Sequence, residues 1–175
     1  MSYSKFKETL NKHLKYEIAA QQHILKYYND RTPDDVYTLH EVNEDCLYDF
    51  SIKSSQYKYK FEVKADLMSN HTNNYYIEYE SSGKPSGILT SKADYYVITN
   101  GKNYYCIKLS KLKDIYEQNL KIPSMHRECY EKDDDGKSLH TNAGKPRYTN
   151  GLIIKTNMLN HQMVFINSTS DTNEN

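Results

Sequence analysis

The stretch from Tyr57 to Lys64 constrains the fold most, because its side chains alternate strictly between aromatic or aliphatic and charged. The apolar members are Tyr57, Tyr59, Phe61 and Val63, and the charged members are Lys58, Lys60, Glu62 and Lys64. Successive side chains of an extended chain point to opposite faces, so this alternation predicts a β-strand with one buried face. The charged face then carries a carboxylate and an ammonium two residues apart.

A second short stretch, Tyr48 to Ile52, repeats the pattern with Asp49 as its acid. Tyr48, Phe50 and Ile52 form the predicted apolar face, so Asp49 leaves the strand on the opposite side. If the two strands pair as neighbours, Asp49, Glu62 and Lys64 converge on one side of one sheet.

The remaining elements follow from periodicity and turn residues. Helices are predicted over 4–28, capped by Ser4, over 110–119, capped by Ser110, in a turn or two within 88–93, and from residue 157 onward. Further strands are predicted over 36–42, 74–80, 94–99, 104–108 and 149–155. Residues 43–46 and 53–56 are predicted as turns, and residues 67–73 and 81–87 as loops.

The length of 175 residues suits one domain with a sizeable core. We predict a single domain over 1–165, with a long polar excursion at 121–150 and a disordered tail at 166–175. No apolar run is long enough for a membrane helix, and the polar N-terminus does not resemble a signal peptide. These observations predict an intracellular, cytoplasmic protein without a membrane partner.

Charge and cysteine content exclude several classes of site. The formal net charge is zero and only three residues are arginine, which argues against a global basic field and against extensive major-groove reading. The three cysteines and seven histidines show no paired metal-ligand spacing, so a structural zinc site or a disulfide framework is not expected.

Two carboxylates on neighbouring strands are the usual ligands of a hard divalent cation, which prefers oxygen and keeps several waters. A lysine beside them can orient a water or stabilise negative charge on phosphorus. Asp49, Glu62 and Lys64 are therefore the minimum set for metal-assisted phosphodiester hydrolysis, with the Val63 backbone carbonyl as a further ligand. A solvated charged face would show the same spacing without any function, and that alternative stays open.

The order of these elements and acids resembles the PD-(D/E)XK nuclease superfamily. The matching positions are Asp49 and Glu62-Val-Lys64, although Tyr48 stands where the family usually has proline. The resemblance continues over residues 74–80, 85–88 and 93–97, covers about residues 45–100, and is greatest to small nucleases of phages and related mobile elements.

The resemblance implies an α/β, restriction-endonuclease-like fold with a central mixed sheet flanked by helices. It implies hydrolysis of DNA through a water activated by Mg²⁺ or Mn²⁺, with Asp49 and Glu62 as metal ligands and Lys64 as a catalytic residue. Glu78, favoured over Glu80, and Glu17 on the first helix would be further catalytic acids.

The loop at 83–87 offers Lys84 and Ser86 as substrate contacts, with a plain surface turn as the alternative. A homodimer and a nicking monomer are both consistent with the sequence, and a phage-encoded enzyme would act in the host cytoplasm. Two other functions stay open: a non-catalytic nucleic-acid or protein-binding module on the same fold, and an RNA endonuclease.

Overall fold

The computed structural model describes residues 3–40, 47–132, 137–140, 143–160 and 164–166. Its α-helices are α1 (Tyr3–Arg31), α2 (Ser69–Thr72), α3 (Leu109–Asn119) and α4 (Thr156–Asn160). The first strands are β1 (Thr38–His40), β2 (Phe50–Lys53), β3 (Lys58–Ala65), β4 (Asn74–Ser81) and β5 (Lys84–Pro85). The others are β6 (Tyr95–Thr99), β7 (Tyr104–Lys108), β8 (His126–Tyr130), β9 (Tyr148–Lys155) and β10 (Val164–Ile166). Short 3₁₀ helices span Gly87–Leu89 and Pro123–Met125.

The strands form two sheets. The first has the order β1-β2-β3-β6-β7-β10, in which β3 and β6 are parallel and the other neighbours are antiparallel. The second is antiparallel throughout, with the order β5-β4-β9-β8. An α/β fold with a mixed sheet flanked by helices is therefore confirmed. The expectation of one central sheet is incomplete, because the strand that carries Glu78 belongs to the second sheet.

One face of the first sheet packs against α1. Ala20 and Ile24 of α1 are fully buried there, together with Phe50 on β2 and Phe61 on β3. The Phe50 and Phe61 rings stack with their centroids 4.9 Å apart. The apolar face of β3 thus joins the core, as its alternation predicts.

The opposite face of the first sheet packs against α3 and the second sheet. Strand β6 contributes to both sides, because Val97 points toward α1 while Tyr96 and Ile98 point the other way. The core against α1 is called the first core, and the one on the opposite side the second core. The second core contains Ile77 of β4 and Leu112 of α3, both almost fully buried. The charged face of β3 lies on this second side, at the junction of the two sheets.

Two predicted caps and one predicted loop are wrong in detail. Helix α1 begins at Tyr3, so Ser4 lies inside its first turn rather than before it. Helix α3 begins at Leu109 with Lys108 as its N-cap, so Ser110 is its second residue. The predicted loop at 67–73 contains the single-turn helix α2.

The largest difference from the prediction lies between residues 121 and 150. Strand β8 pairs along β9, and isolated bridges join Lys132 to Ser138 and His140 to Pro146. Residues 126–130 are therefore a strand of the second sheet, which the prediction of a polar excursion did not include. The unpredicted strand β10 ends at Ile166, inside the predicted tail, while residues 167–175 and the predicted turn at 43–46 lie outside the described residues.

The loop predicted at 81–87 is a tight hairpin between β4 and β5. Ser82 and Gly83 both have positive φ, 48° and 81°, which suits a two-residue hairpin turn. Among the described helices, none is long and apolar enough to cross a membrane.

We predict that Phe61→Ala lowers the free energy of unfolding by about 3–5 kcal/mol, because it empties a fully buried ring site between two sheet neighbours. Tyr57→Ala is the matched control directly before β3, where the ring is 53% exposed, and it should cost less than about 1 kcal/mol. Urea unfolding followed by circular dichroism measures both. Equal losses would contradict the assignment of the Phe61 face of β3 to the core.

Candidate active site

Asp49 lies directly before β2 and is held by strand β3 from both its backbone and its side chain. Its amide donates to the Phe61 carbonyl oxygen at 2.9 Å, and its Oδ2 accepts the Val63 N–H at 2.6 Å. The side chain thus takes the place of a backbone acceptor where the β2–β3 ladder ends. Asp49 is therefore fixed beside the strand that carries Glu62.

Glu62 lies on the face of β3 opposite Phe61 and points toward the segment after the 3₁₀ helix. The Ser91 hydroxyl lies 3.1 Å from Glu62 Oε2 and 3.2 Å from the Leu47 carbonyl oxygen. The Lys92 amide donates to the same carbonyl at 2.8 Å. Ser91, which is buried and was not predicted as a site residue, therefore anchors both Glu62 and the chain leading into Asp49.

Lys64 and Glu78 meet across the two sheets. Lys64 Nζ lies 3.7 Å from Glu78 Oε2, and the Ser86 hydroxyl donates to Glu78 Oε1 at 2.6 Å. The Glu78 side chain is only 15% exposed, whereas that of Lys64 is 44% exposed. The Lys64 ammonium is therefore held near Glu78 and remains accessible to solvent.

Strand β4 contains an irregularity between Glu78 and Glu80 that separates the two acids. Glu80 Oε1 accepts from the Asn150 amide at 2.7 Å, away from the site. Of the two acids, Glu78 is the one that reaches Lys64, in agreement with the preference stated from the sequence. The chain after β5 packs closely against the Glu78 backbone at Gly87. A Cβ on Gly87 would lie 2.2 Å from the Glu78 carbonyl oxygen, so this close approach requires glycine.

Asp49, Glu62, Lys64 and Glu78 line a pocket of about 290 Å³. Its walls are Leu47, Tyr48, Asp49, Glu62, Lys64, Glu78, Ser86, Gly87, Thr90, Ser91 and Tyr96. Tyr96 is buried and belongs to the second core. Tyr48 was expected beside Phe50 on the apolar face but packs on the second core and lines the pocket instead.

Burial makes the carboxyls of Asp49 and Glu62 hard to ionise. Burial raises the pKa of Glu62 to about 7, with the negative charge of Asp49 as the next cause, against the opposing effects of Ser91 and Lys64. Burial also raises the pKa of Asp49, although the Val63 N–H and Lys64 act in the other direction. Both shifts disfavour the charged forms of the two carboxyls.

Three predicted residues, Glu17, Lys84 and Val63, lie outside the pocket wall. Glu17 on α1 is close enough for Asp49 to raise its pKa, after the larger effect of burial, but it does not line the pocket. Lys84 is exposed on β5. Val63 gives its amide to Asp49 and is not a lining residue either.

Within the described parts of the chain, no group of three or more His, Cys, Asp or Glu side chains is placed to hold a metal ion. The pocket offers Asp49 and Glu62 as a pair. Magnesium typically takes one or two protein carboxylates and completes its shell with water and substrate phosphate, so a pair is within its range.

Comparison of the chain with protein-family models, with curated proteins and with solved structures finds no match.

We predict that Glu62→Gln makes the metal-free protein more stable than the wild type at pH 8, with the gap closing toward pH 4.5. A carboxyl whose pKa is raised on folding from 4.5 to about 7 contributes stability below pH 4.5 that is lost as pH rises through 7. Glutamine has no titrating carboxyl, so the variant does not lose this stability as pH rises. The expected gain is about 1–2 kcal/mol at pH 8 relative to pH 4.5, below the full linkage value because Glu62 is partly solvated.

Urea unfolding in EDTA at pH 4.5, 6 and 8 measures this difference. Glu80→Gln is the matched control, since Glu80 is hydrogen-bonded to Asn150 outside the pocket. A stability difference between wild type and Glu62→Gln that stays constant with pH would contradict the prediction.

Proposed function

We propose that this protein is a metal-dependent nuclease that hydrolyses DNA phosphodiester bonds, built on a restriction-endonuclease-like fold of the PD-(D/E)XK superfamily. The observation that carries the proposal is the meeting of Asp49, Glu62 and Lys64 in one pocket, in the order that the sequence motif requires. Glu78 joins them from the second sheet.

The donor set of the pocket fits a hard divalent cation. Asp49 and Glu62 are oxygen donors whose pKa values are raised chiefly by burial, with the charge of Asp49 as a further cause for Glu62. They would hold Mg²⁺ or Mn²⁺, with the Val63 carbonyl as the further ligand expected from the sequence. When bound, the ion would supply activation of a water and neutralisation of phosphate charge.

The protein's own groups would position the substrate and stabilise its charge. The Lys64 ammonium stands at the mouth of the pocket and would stabilise the negative charge that develops on the phosphoryl oxygens. Glu78 limits where that ammonium can lie, and Ser86 in turn holds Glu78 by a 2.6 Å hydrogen bond. Glu78 is thus a positioning residue for Lys64.

Substrate binding would depend on local groups, because the whole chain has no net charge. The β4–β5 hairpin carries the exposed Lys84 next to Ser86, which lines the pocket. An exposed lysine on a tight hairpin beside the site suits contact with the phosphate backbone of DNA.

We predict Mg²⁺-dependent cleavage of at least one of three substrates: single-stranded, double-stranded or branched DNA. EDTA abolishes it, and Asp49→Asn, Glu62→Gln and Lys64→Met each lower the rate by about 100-fold or more, since each removes a group that acts on the reacting phosphate. Lys58→Met is the matched control, because Lys58 is on the same face of β3 but outside the pocket, and it should keep the rate.

Three results would count against this function. Absence of Mg²⁺-dependent and Lys64-dependent cleavage on every DNA substrate would exclude a DNA nuclease. Faster cleavage of RNA in direct competition would assign the site to an RNA endonuclease. DNA binding without cleavage, unchanged by Asp49→Asn, Glu62→Gln and Lys64→Met, would assign the chain to the non-catalytic modules.

Metal binding gives a prediction that does not depend on the substrate. We expect Mn²⁺ to bind the wild type at one site, seen as loss of the free-ion signal in electron paramagnetic resonance, and to raise the melting temperature. Asp49→Asn should weaken binding about 10-fold or more, because half of the carboxylate pair is lost. Equal Mn²⁺ binding by wild type and an Asp49→Asn, Glu62→Gln double variant would contradict the assignment of these ligands.

A further inference from the structure

A second pocket, of about 400 Å³, lies beside the active site. The two pockets share Lys64 as a common wall. Other residues around the second pocket include Asp66, Met68, Tyr76, Arg127 and Ile153. Its volume is in the range of about 300–1,000 Å³ that is usual for sites of small organic groups.

Arg127 differs from the other two arginines in having no charge partner among the described residues. The chain has three arginines. The Arg31 guanidinium lies 3.7 Å from the centre of the Tyr27 ring, and Arg147 pairs with Glu131 at 3.1 Å. No ion pair or side-chain hydrogen bond involves Arg127 among the residues that the structure describes.

The second sheet places Arg127 in one row with the active-site acid. Gly151 on β9 lies opposite Glu78 on β4 and also opposite Arg127 on β8. Residues directly opposite one another on neighbouring strands project to the same face of the sheet. Their Cα atoms are about 4.5–5.5 Å apart. The Arg127 Cα is therefore about 10 Å from that of Glu78, on the face that borders the active site.

Gly151 leaves the middle of this row open. A Cβ at this position would lie 2.3 Å from Cε2 and 2.4 Å from Cζ of Tyr76. The Tyr76 ring therefore lies over the glycine and forms part of the pocket wall, with its hydroxyl 2.8 Å from Thr149 Oγ1. The Tyr76 ring and the Arg127 guanidinium thus border one mostly apolar cavity.

We propose that this second pocket binds the nucleotide next to the scissile phosphate, with Arg127 on its phosphate and the Tyr76 ring against its base. The assignment rests on the nuclease function proposed for the neighbouring site. Three features favour this occupant: the wall shared through Lys64, the Arg127 charge, and the aromatic surface of Tyr76. Arginine binds phosphate through two parallel N–H groups, and bases stack on aromatic side chains largely irrespective of sequence.

The test is binding of a short single-stranded DNA oligonucleotide that contains 2-aminopurine, in EDTA so that cleavage does not interfere. The chain has no tryptophan, so the fluorescence of the analogue is read without that background. We expect Arg127→Gln to raise Kd about 10-fold and to reduce the slope of log Kd against log salt by about 0.7, the value for one lost phosphate contact on a single strand.

Arg147→Gln is the matched control, because it removes the same charge from an arginine that is already paired outside the pocket. It should leave both Kd and the salt slope unchanged. Equal effects of Arg127→Gln and Arg147→Gln on Kd and slope would overturn the proposal.

The aromatic wall has its own readout. Tyr76→Leu should raise Kd by about 5- to 100-fold and reduce quenching of 2-aminopurine, since the stacking surface is lost. Tyr76→Phe keeps the ring and should bind as the wild type does. Full binding and full quenching with Tyr76→Leu would show that the base does not occupy this pocket.

Cleavage kinetics separate this subsite from the chemistry. With Mg²⁺, Arg127→Gln should raise KM about 10-fold and leave kcat within about two-fold, because the lost contact acts equally on the bound substrate and the transition state. An unchanged KM in an active enzyme would overturn the subsite while leaving the nuclease intact. The EDTA binding assay does not require cleavage, so failure of the nuclease function is detected separately by the cleavage assay.

Discussion

Strand β3 lies between β2 and β6, and this placement gives each of its faces a different environment. Phe61 and Val63 point toward α1 and are buried in the first core. Glu62 and Lys64 point to the opposite side, where the second sheet diverges from the first and leaves a pocket. Both the core and the candidate site therefore depend on one register, and the 2.6 Å bond from the Val63 amide to Asp49 fixes that register from the polar side.

The site is costly to the fold in the absence of a cation. Asp49 raises the pKa of Glu62 in a partly buried pocket, and the Lys64 ammonium lies 3.7 Å from Glu78. A structure selected only for stability would replace such a pair with neutral groups, because uncompensated buried charge is expensive. A bound cation would compensate the charge of Asp49 and Glu62, and this compensation supports the proposed metal site.

Local sequence patterns predicted the parts of the fold that depend on single strands. Alternation along β3 placed Phe61 in the core and Glu62 opposite it, and the strands predicted over 94–99 and 104–108 match β6 and β7. Strand β8 escaped prediction, because it is a largely exposed edge strand that shows no apolar alternation and exists through its pairing with β9. The separation of Glu78 from Glu80 also needs the partner strand, since an irregularity in register has no signature in one strand alone.

The segment that looked like a polar excursion has a definite structural consequence. By pairing with β9 it extends the second sheet by one strand and carries Arg127 into the row that begins at Glu78. The glycine between them has no side chain to fill the space, so the row presents a charge at each end and the Tyr76 ring in the middle. A larger residue at Gly151 would displace that ring, so the shape of the second pocket depends on a position that carries no chemistry of its own.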